Sequence, residues 1–115
     1  MYLFRMKFPN PHEWADRTGL ALDIAAAAKI RRDPSLVDVA TRNLERWRAL
    51  NGGTLTPAHQ EWERVLRFLT ADQIADFMVS RAPMAARLSQ SSPFAGILTQ
   101  EERQKILDEH EALAA

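Results

Sequence analysis

Beyond residue 10 the apolar positions of this sequence recur every three or four residues, the spacing of helices that bury one face. The first such run opens at Asn10, where Asn10 and Glu13 form a capping pattern and Pro11 occupies the N1 position that suits proline. Trp14, Thr18, Ala21, Ala25 and Ala28 mark its buried stripe, widened by Leu20, Ile24 and Ala27. Gly19 costs about 1 kcal/mol in a helix relative to alanine; it marks a kink, a helix start nearer Thr18 or, as the four successive alanines favour, the close approach of a neighbouring helix. Asp33 and Pro34 end this run and start the next as N-cap and N1. The second helix is predicted to reach Leu50, with Val37, Ala40, Leu44 and Trp47 as its core stripe and Leu36 and Leu50 in support.

Asn51, Gly52 and Gly53 tolerate the left-handed backbone that terminates a helix. Thr56 and Pro57 repeat the cap-then-proline signal ahead of a stripe of Trp62, Val65, Leu66 and Leu69. Thr70 with Gln73 forms a capping box for a short helix carrying Ile74, Phe77 and Met78, and Pro83 opens another with Met84 and Leu88. After a loop over residues 90 to 98, Thr99 with Glu102 caps a last helix holding Ile106, Leu107 and His110. The fold class is therefore all-α, a compact bundle of five to six helices joined by short connections. Residues 1 to 9 form an extended N-terminal arm, in which Tyr2, Phe4, Met6 and Phe8 alternate with Leu3, Arg5 and Lys7 as in a strand, and residues 10 to 115 form one helical domain. A single strand has no partner in a helical monomer, which leaves the arm three roles: a flexible tail, a segment laid over the bundle, or an edge pairing with another chain.

Composition narrows the class further. At 115 residues the chain is long enough to bury about two thirds of its unfolded surface without a staple. It has no cysteine, which excludes a disulfide framework, a thiolate zinc site and a cysteine nucleophile. No stretch approaches the roughly 20 apolar residues of a membrane span, and the start of the chain lacks a secretory signal, so a cytoplasmic location is expected. Fifteen basic and fifteen acidic residues cancel, against the overall positive field of a dedicated nucleic-acid binder. The halves differ, however: residues 1 to 55 carry nine Lys or Arg and six Asp or Glu, and residues 56 to 115 carry six and nine. That asymmetry predicts either mutual attraction of two halves of one domain or a basic binding face.

The sequence presents no catalytic constellation. His12, His59 and His110 lack metal-ligand spacing, and Asp16 stands where a zincin motif beginning at His12 and Glu13 needs its second histidine. Gly52-Gly53-Thr54 lacks the lysine of a phosphate loop, and no histidine is placed in the sequence to activate Ser91 or Ser92. Neither catalysis nor a cofactor nor a metal is expected. Two segments attract notice instead. Lys29, Arg31, Arg32, Arg42 and Arg46 cluster along the first two helices as a candidate basic patch. The stretch from Arg87 to Gly96 sets hydroxyls, an amide and one aromatic, Phe94, between a proline and a glycine; it is either a loop plugged into the core by Phe94 or a rigid presentation of interface hot spots.

Asn43-Leu44-Glu45-Arg46-Trp47-Arg48, Glu61-Trp62 leading into Leu66, Leu88 to Gly96, and Leu98-Thr99-Gln100-Glu101-Glu102-Arg103 together carry a resemblance. They resemble a poorly characterised family of small bacterial helical proteins that share a late Gln-Ser-Ser-Pro-Phe-Ala-Gly segment. The resemblance covers about residues 16 to 108 and departs at Ser89, where arginine is the familiar residue. It implies a non-catalytic antitoxin-like component of a toxin-antitoxin pair, which binds and neutralises a protein encoded beside it. On this reading the contact falls on Arg46, Trp47, Arg87, Gln90, Ser91, Ser92 and Phe94, with Phe94 as a desolvated anchor and the arginines supplying charge-assisted bonds. Helical spacing by itself places Trp47 and Trp62 in the core. The alternative is a DNA-binding transcriptional regulator using the basic patch on phosphates, a role compatible with the first. An enzyme or small-molecule binder would require a dry pocket with perturbed carboxylates.

Overall fold

The computed structural model describes residues 11–114, and side chains over 15–111. Among the described residues it is all-α: α1 (Pro11–Arg32), a 3₁₀ turn (Pro34–Leu36), α2 (Val37–Leu50), α3 (Pro57–Phe68), α4 (Ala71–Val79), α5 (Pro83–Ser89) and α6 (Gln100–Ala114). The expected N-terminal arm and the Asn10 cap lie outside the described residues. No described helix is long and apolar enough to cross a membrane.

The helix boundaries follow the local chemistry. Asp33 accepts a hydrogen bond from the Ser35 N–H at 3.2 Å and another from the Ser35 hydroxyl at 2.6 Å, so the predicted cap exists but drives a 3₁₀ turn before α2 begins. Gly52 (φ 65°) and Gly53 (φ 92°) adopt the left-handed backbone after α2, and the Gly53 N–H closes on the Arg48 carbonyl at 2.8 Å. Thr56 caps α3 through the His59 N–H. Both capping boxes form reciprocally: Thr70 with Gln73 on α4, and Thr99 with Glu102 on α6, where the hydroxyl accepts from Glu102 N–H at 3.1 Å and the carboxylate from Thr99 N–H at 2.8 Å.

One core unites these helices. α1 packs mainly against α4 and also against α6, while α2 lies on α3 and α4 on α5. Ala26, Ala27 and Ile30 of α1 meet Ala40 and Leu44 of α2, Trp62 and Val65 of α3, Ile74, Ala75 and Met78 of α4, Leu88 of α5, and Phe94 and Ile97 of the last loop. Trp62 is at the centre. Its indole N–H donates to the buried Leu88 carbonyl at 2.8 Å, and its ring meets Phe77 and Phe94 edge to face at centroid distances of 5.4 and 5.9 Å.

Several sequence expectations need correction. The buried face of α1 runs through Thr18, Ala26, Ala27 and Ile30, whereas Ala21, Ala25 and Ala28 are half-buried and Ile24 is exposed. A helix this rich in alanine offers little apolar contrast, so its period does not fix which face turns inward. A Cβ added at Gly19 would meet nothing within 4 Å, so the expected close helix contact is absent there. Leu50 and Met84 are exposed instead of core, being the end of α2 and the outer side of α5, where Ala85 points inward.

Candidate functional site

Among the described residues, an elaborate polar construction holds the loop between α5 and α6. Asn43, 7% exposed on α2, donates both amide hydrogens across the chain, to the carbonyls of Pro93 at 2.8 Å and Ala95 at 2.9 Å. Its own Oδ1 accepts from the Arg46 guanidinium at 2.9 Å. Pro93 is fully buried, Gly96 takes φ 88°, and the Ile97 N–H turns back to the Phe94 carbonyl at 3.2 Å. From the other side, Lys29 at the end of α1 donates to the Ile97 carbonyl at 2.9 Å and pairs with Glu102 at 2.6 Å. The loop is thus clamped from α1, α2 and α6 before any ligand arrives.

Beside it lies a cleft of about 600 Å³. One wall is α1, with Asp16, Gly19, Leu20, Asp23 and Ala26; the opposite wall is α5 and the clamped loop, with Ala86, Arg87, Gln90, Ser92, Phe94 and Ile97, while Arg81 and Arg103 complete the outline. Asp16, Arg81, Arg87, Gln90 and Arg103 are exposed and mark the mouth; Leu20 and Asp23 are partly buried and Ala26 is buried, marking the depth. This volume lies within the usual range for a site that receives a small molecule or a few side chains.

The charges here are unequally satisfied. Arg87 forms a two-pronged pair with Glu61, at 2.9 and 3.3 Å, and these bonds hold the Glu61 carboxyl below its ordinary range. Burial pushes Asp23 in the opposite direction, from 3.8 up to about 6, against a downward pull from Arg81. Sequence reasoning missed Asp23 entirely. It is one acid among six in the first half of the chain, and only the packing of α5 and the loop over α1 gives it a cleft to line.

The predicted contact residues do not form one patch. Arg87, Gln90, Ser92 and Phe94 meet around the cleft, whereas Ser91, Arg46 and Trp47 do not line it. Phe94 is 5% exposed and packed on Trp62, so of its two expected roles it takes that of a core plug that fixes the loop, and it is not a directly contacting anchor. Arg46 orients Asn43, and Trp47 is half-buried and stacks on His59 at 4.7 Å between centroids. Two of the four segments carrying the sequence resemblance, residues 43–48 and 88–96, therefore meet in space through Asn43, a residue absent from the predicted contact set.

The basic patch fares similarly. Lys29 is committed to α6 and the loop; Arg31 pairs with Asp76 of α4 at 2.5 Å and lies 3.9 Å from Asp72. Arg48 pairs with Glu63 of α3. These cations of the first half all meet acids of the second, so the charge asymmetry is used, at these positions, for attraction within the domain. Arg32 and Arg42 remain exposed on α1 and α2. Among the described residues no group of three or more His, Asp or Glu is placed to hold a metal ion.

The arrangement is that of an all-α bundle with a preformed, mixed-polarity cleft. No protein-family model, no curated protein and no solved structure matches this chain.

Proposed function

We infer that this chain is a non-catalytic recognition module, which binds a segment of a protein partner in the cleft between α1 and the 90–99 loop. The antitoxin-like role, binding and neutralising a protein encoded beside it, is the biological form of that reading we favour. One observation carries it: the loop lining the cleft is fixed in advance by Asn43, Lys29 and buried Phe94, so a partner pays little ordering cost on docking. Exposed Arg87 and Gln90 and half-buried Ser92 supply directional bonds at the cleft wall. The contact set is accordingly revised to Arg87, Gln90 and Ser92 with the facing α1 wall, and Phe94 acts from beneath as support.

A small-molecule binder is the second reading, favoured by one perturbed carboxylate, Asp23, in the same cleft. The regulator reading draws less support, because Lys29 and Arg31 are already paired within the domain.

The test exploits Gly19. A leucine there enters the cleft from a position where an added Cβ meets nothing within 4 Å, and it improves helix propensity, so Gly19→Leu is expected to fold. The tagged wild-type chain is expected to retain, in stoichiometric amount, the product of the adjacent gene, and Gly19→Leu to weaken that complex by about tenfold or more. Retention by a well-folded Gly19→Leu variant at undiminished affinity would move the contact away from the cleft. Displacement of the partner by a metabolite fraction would favour the second reading.

A further inference from the structure

Asp23 is the ionisable group of the cleft whose lost hydration is least repaid. Its partly buried carboxyl accepts no hydrogen bond among the described residues, and the attraction of Arg81 leaves it at about 6, well above 3.8. The charges facing it from the surrounding elements are differently placed. Arg87 of α5 is held by Glu61; Arg81, between α4 and α5, and Arg103 of α6 are exposed at the rim; Asp16 lies about two turns away on the same face of α1, at the mouth. Gly19 lies between the two carboxylates and presents no side chain, leaving the wall open from Asp16 to Asp23. Leu20, Ala26, Ala86 and Ile97 give the same space an apolar lining.

We propose, resting on the recognition-module reading, that the cleft receives a basic side chain of the partner polypeptide, whose charged head pairs with Asp23 while its methylene stem lies along the apolar wall. A buried charge is costly until it is paired, so an arriving ammonium or guanidinium gains from the desolvation the fold has already imposed on Asp23. Long basic side chains suit such a space because stem and head have opposite solvent preferences. An anionic ligand reaching the depth of the cleft would face the Asp23 carboxylate there, whereas Arg81 and Arg103 are exposed at the mouth.

Capped single residues test this chemistry without the partner. Nα-acetyl arginine amide and its lysine counterpart, titrated into the isotope-labelled full chain, are expected to shift the backbone amides of Gly19 and Asp23 saturably, while the norleucine and glutamate counterparts do not. Asp23→Asn is expected to weaken the arginine probe about tenfold, and wild-type binding to weaken as pH falls through about 6. The variant is expected to stay folded. Because the Asp23 carboxyl is held above its ordinary value, its contribution to stability declines as pH rises from about 4 to about 6, and a neutral amide escapes that cost at pH 7. Its Tm at neutral pH should equal or exceed that of the parent.

Equal binding of norleucine, preference for glutamate, indifference of the arginine probe to Asp23→Asn, or silence of both basic probes would each overturn the proposal. A captured partner whose affinity ignores Asp23→Asn would overturn the basic side chain and leave the recognition module standing. Binding of the arginine probe with no stoichiometric partner would do the reverse.

Discussion

Asn43 shows how much one side chain decides in this molecule. The two carbonyls it satisfies belong to residues fifty and fifty-two positions away, and its own oxygen is oriented by Arg46. Asn43→Ala leaves the Pro93 and Ala95 carbonyls without that donor, at a cost of about 2 kcal/mol. Asn43→Asp is expected to be worse at neutral pH, because a carboxylate has no hydrogen to donate and would face both carbonyl oxygens. Urea unfolding of the two variants checks this order, and an aspartate variant as stable as the alanine variant would contradict the clamp. The residue was visible in the sequence as part of a motif, but not as a buried donor. The helical period carries no information about a loop arriving fifty residues later.

At the scale of elements, the boundaries were the legible part. Capping pairs and helix-opening prolines act within three or four residues, so Thr70 with Gln73, Thr99 with Glu102, and Thr56 with Pro57 could be read directly and were found in place. Glu102 goes further than a cap. The hydrogen bond from Lys29, then that from the Thr99 backbone, hold its carboxyl down to about 2 from an ordinary 4.5. A depressed carboxyl contributes stability that is present above its unfolded value and lost as pH falls toward its folded one. Acid unfolding should therefore show a loss of stability between about pH 4.5 and about 2 that Glu102→Gln removes, with the variant less stable than the parent at neutral pH. A wild-type and a Glu102→Gln titration that superimpose would mean that the pair contributes nothing. Element faces were read less well. α3 and α4 turn the expected Trp62, Val65, Ile74 and Met78 inward, whereas α1, with its alanines, is rotated from the stripe drawn through Ala21, Ala25 and Ala28.

The whole molecule answers a question that composition posed. Net charges of +3 and −3 in the two halves fit either self-attraction or a basic face, and the pairs Lys29–Glu102, Arg31–Asp76 and Arg48–Glu63 join one half to the other. An exposed pair such as Arg31–Asp76 stabilises weakly, by about 0.2 to 1 kcal/mol, but all three pairs occupy cations that a phosphate backbone would otherwise engage. A short DNA duplex is therefore expected to show no binding with a steep salt slope. Measured at low and moderate salt, a slope matching several released counterions would restore the regulator reading and place it on Arg32, Arg42 and Arg46.

The sequence by itself determined the order of the described helices, the caps of α3, α4 and α6, and the all-α class, because hydrogen-bonding caps, proline geometry and the helical period are local and act without knowledge of the rest of the chain. Tertiary structure alone decided that Phe94 faces inward, that Asn43 and Lys29 pin the loop between α5 and α6, and that α1 faces this loop across a cleft containing Asp23. Those outcomes depend on which surfaces meet. Burial, desolvation and the partners of a polar group are properties of the assembled neighbourhood, and residues separated by fifty or more positions acquire them only when the core closes around Trp62.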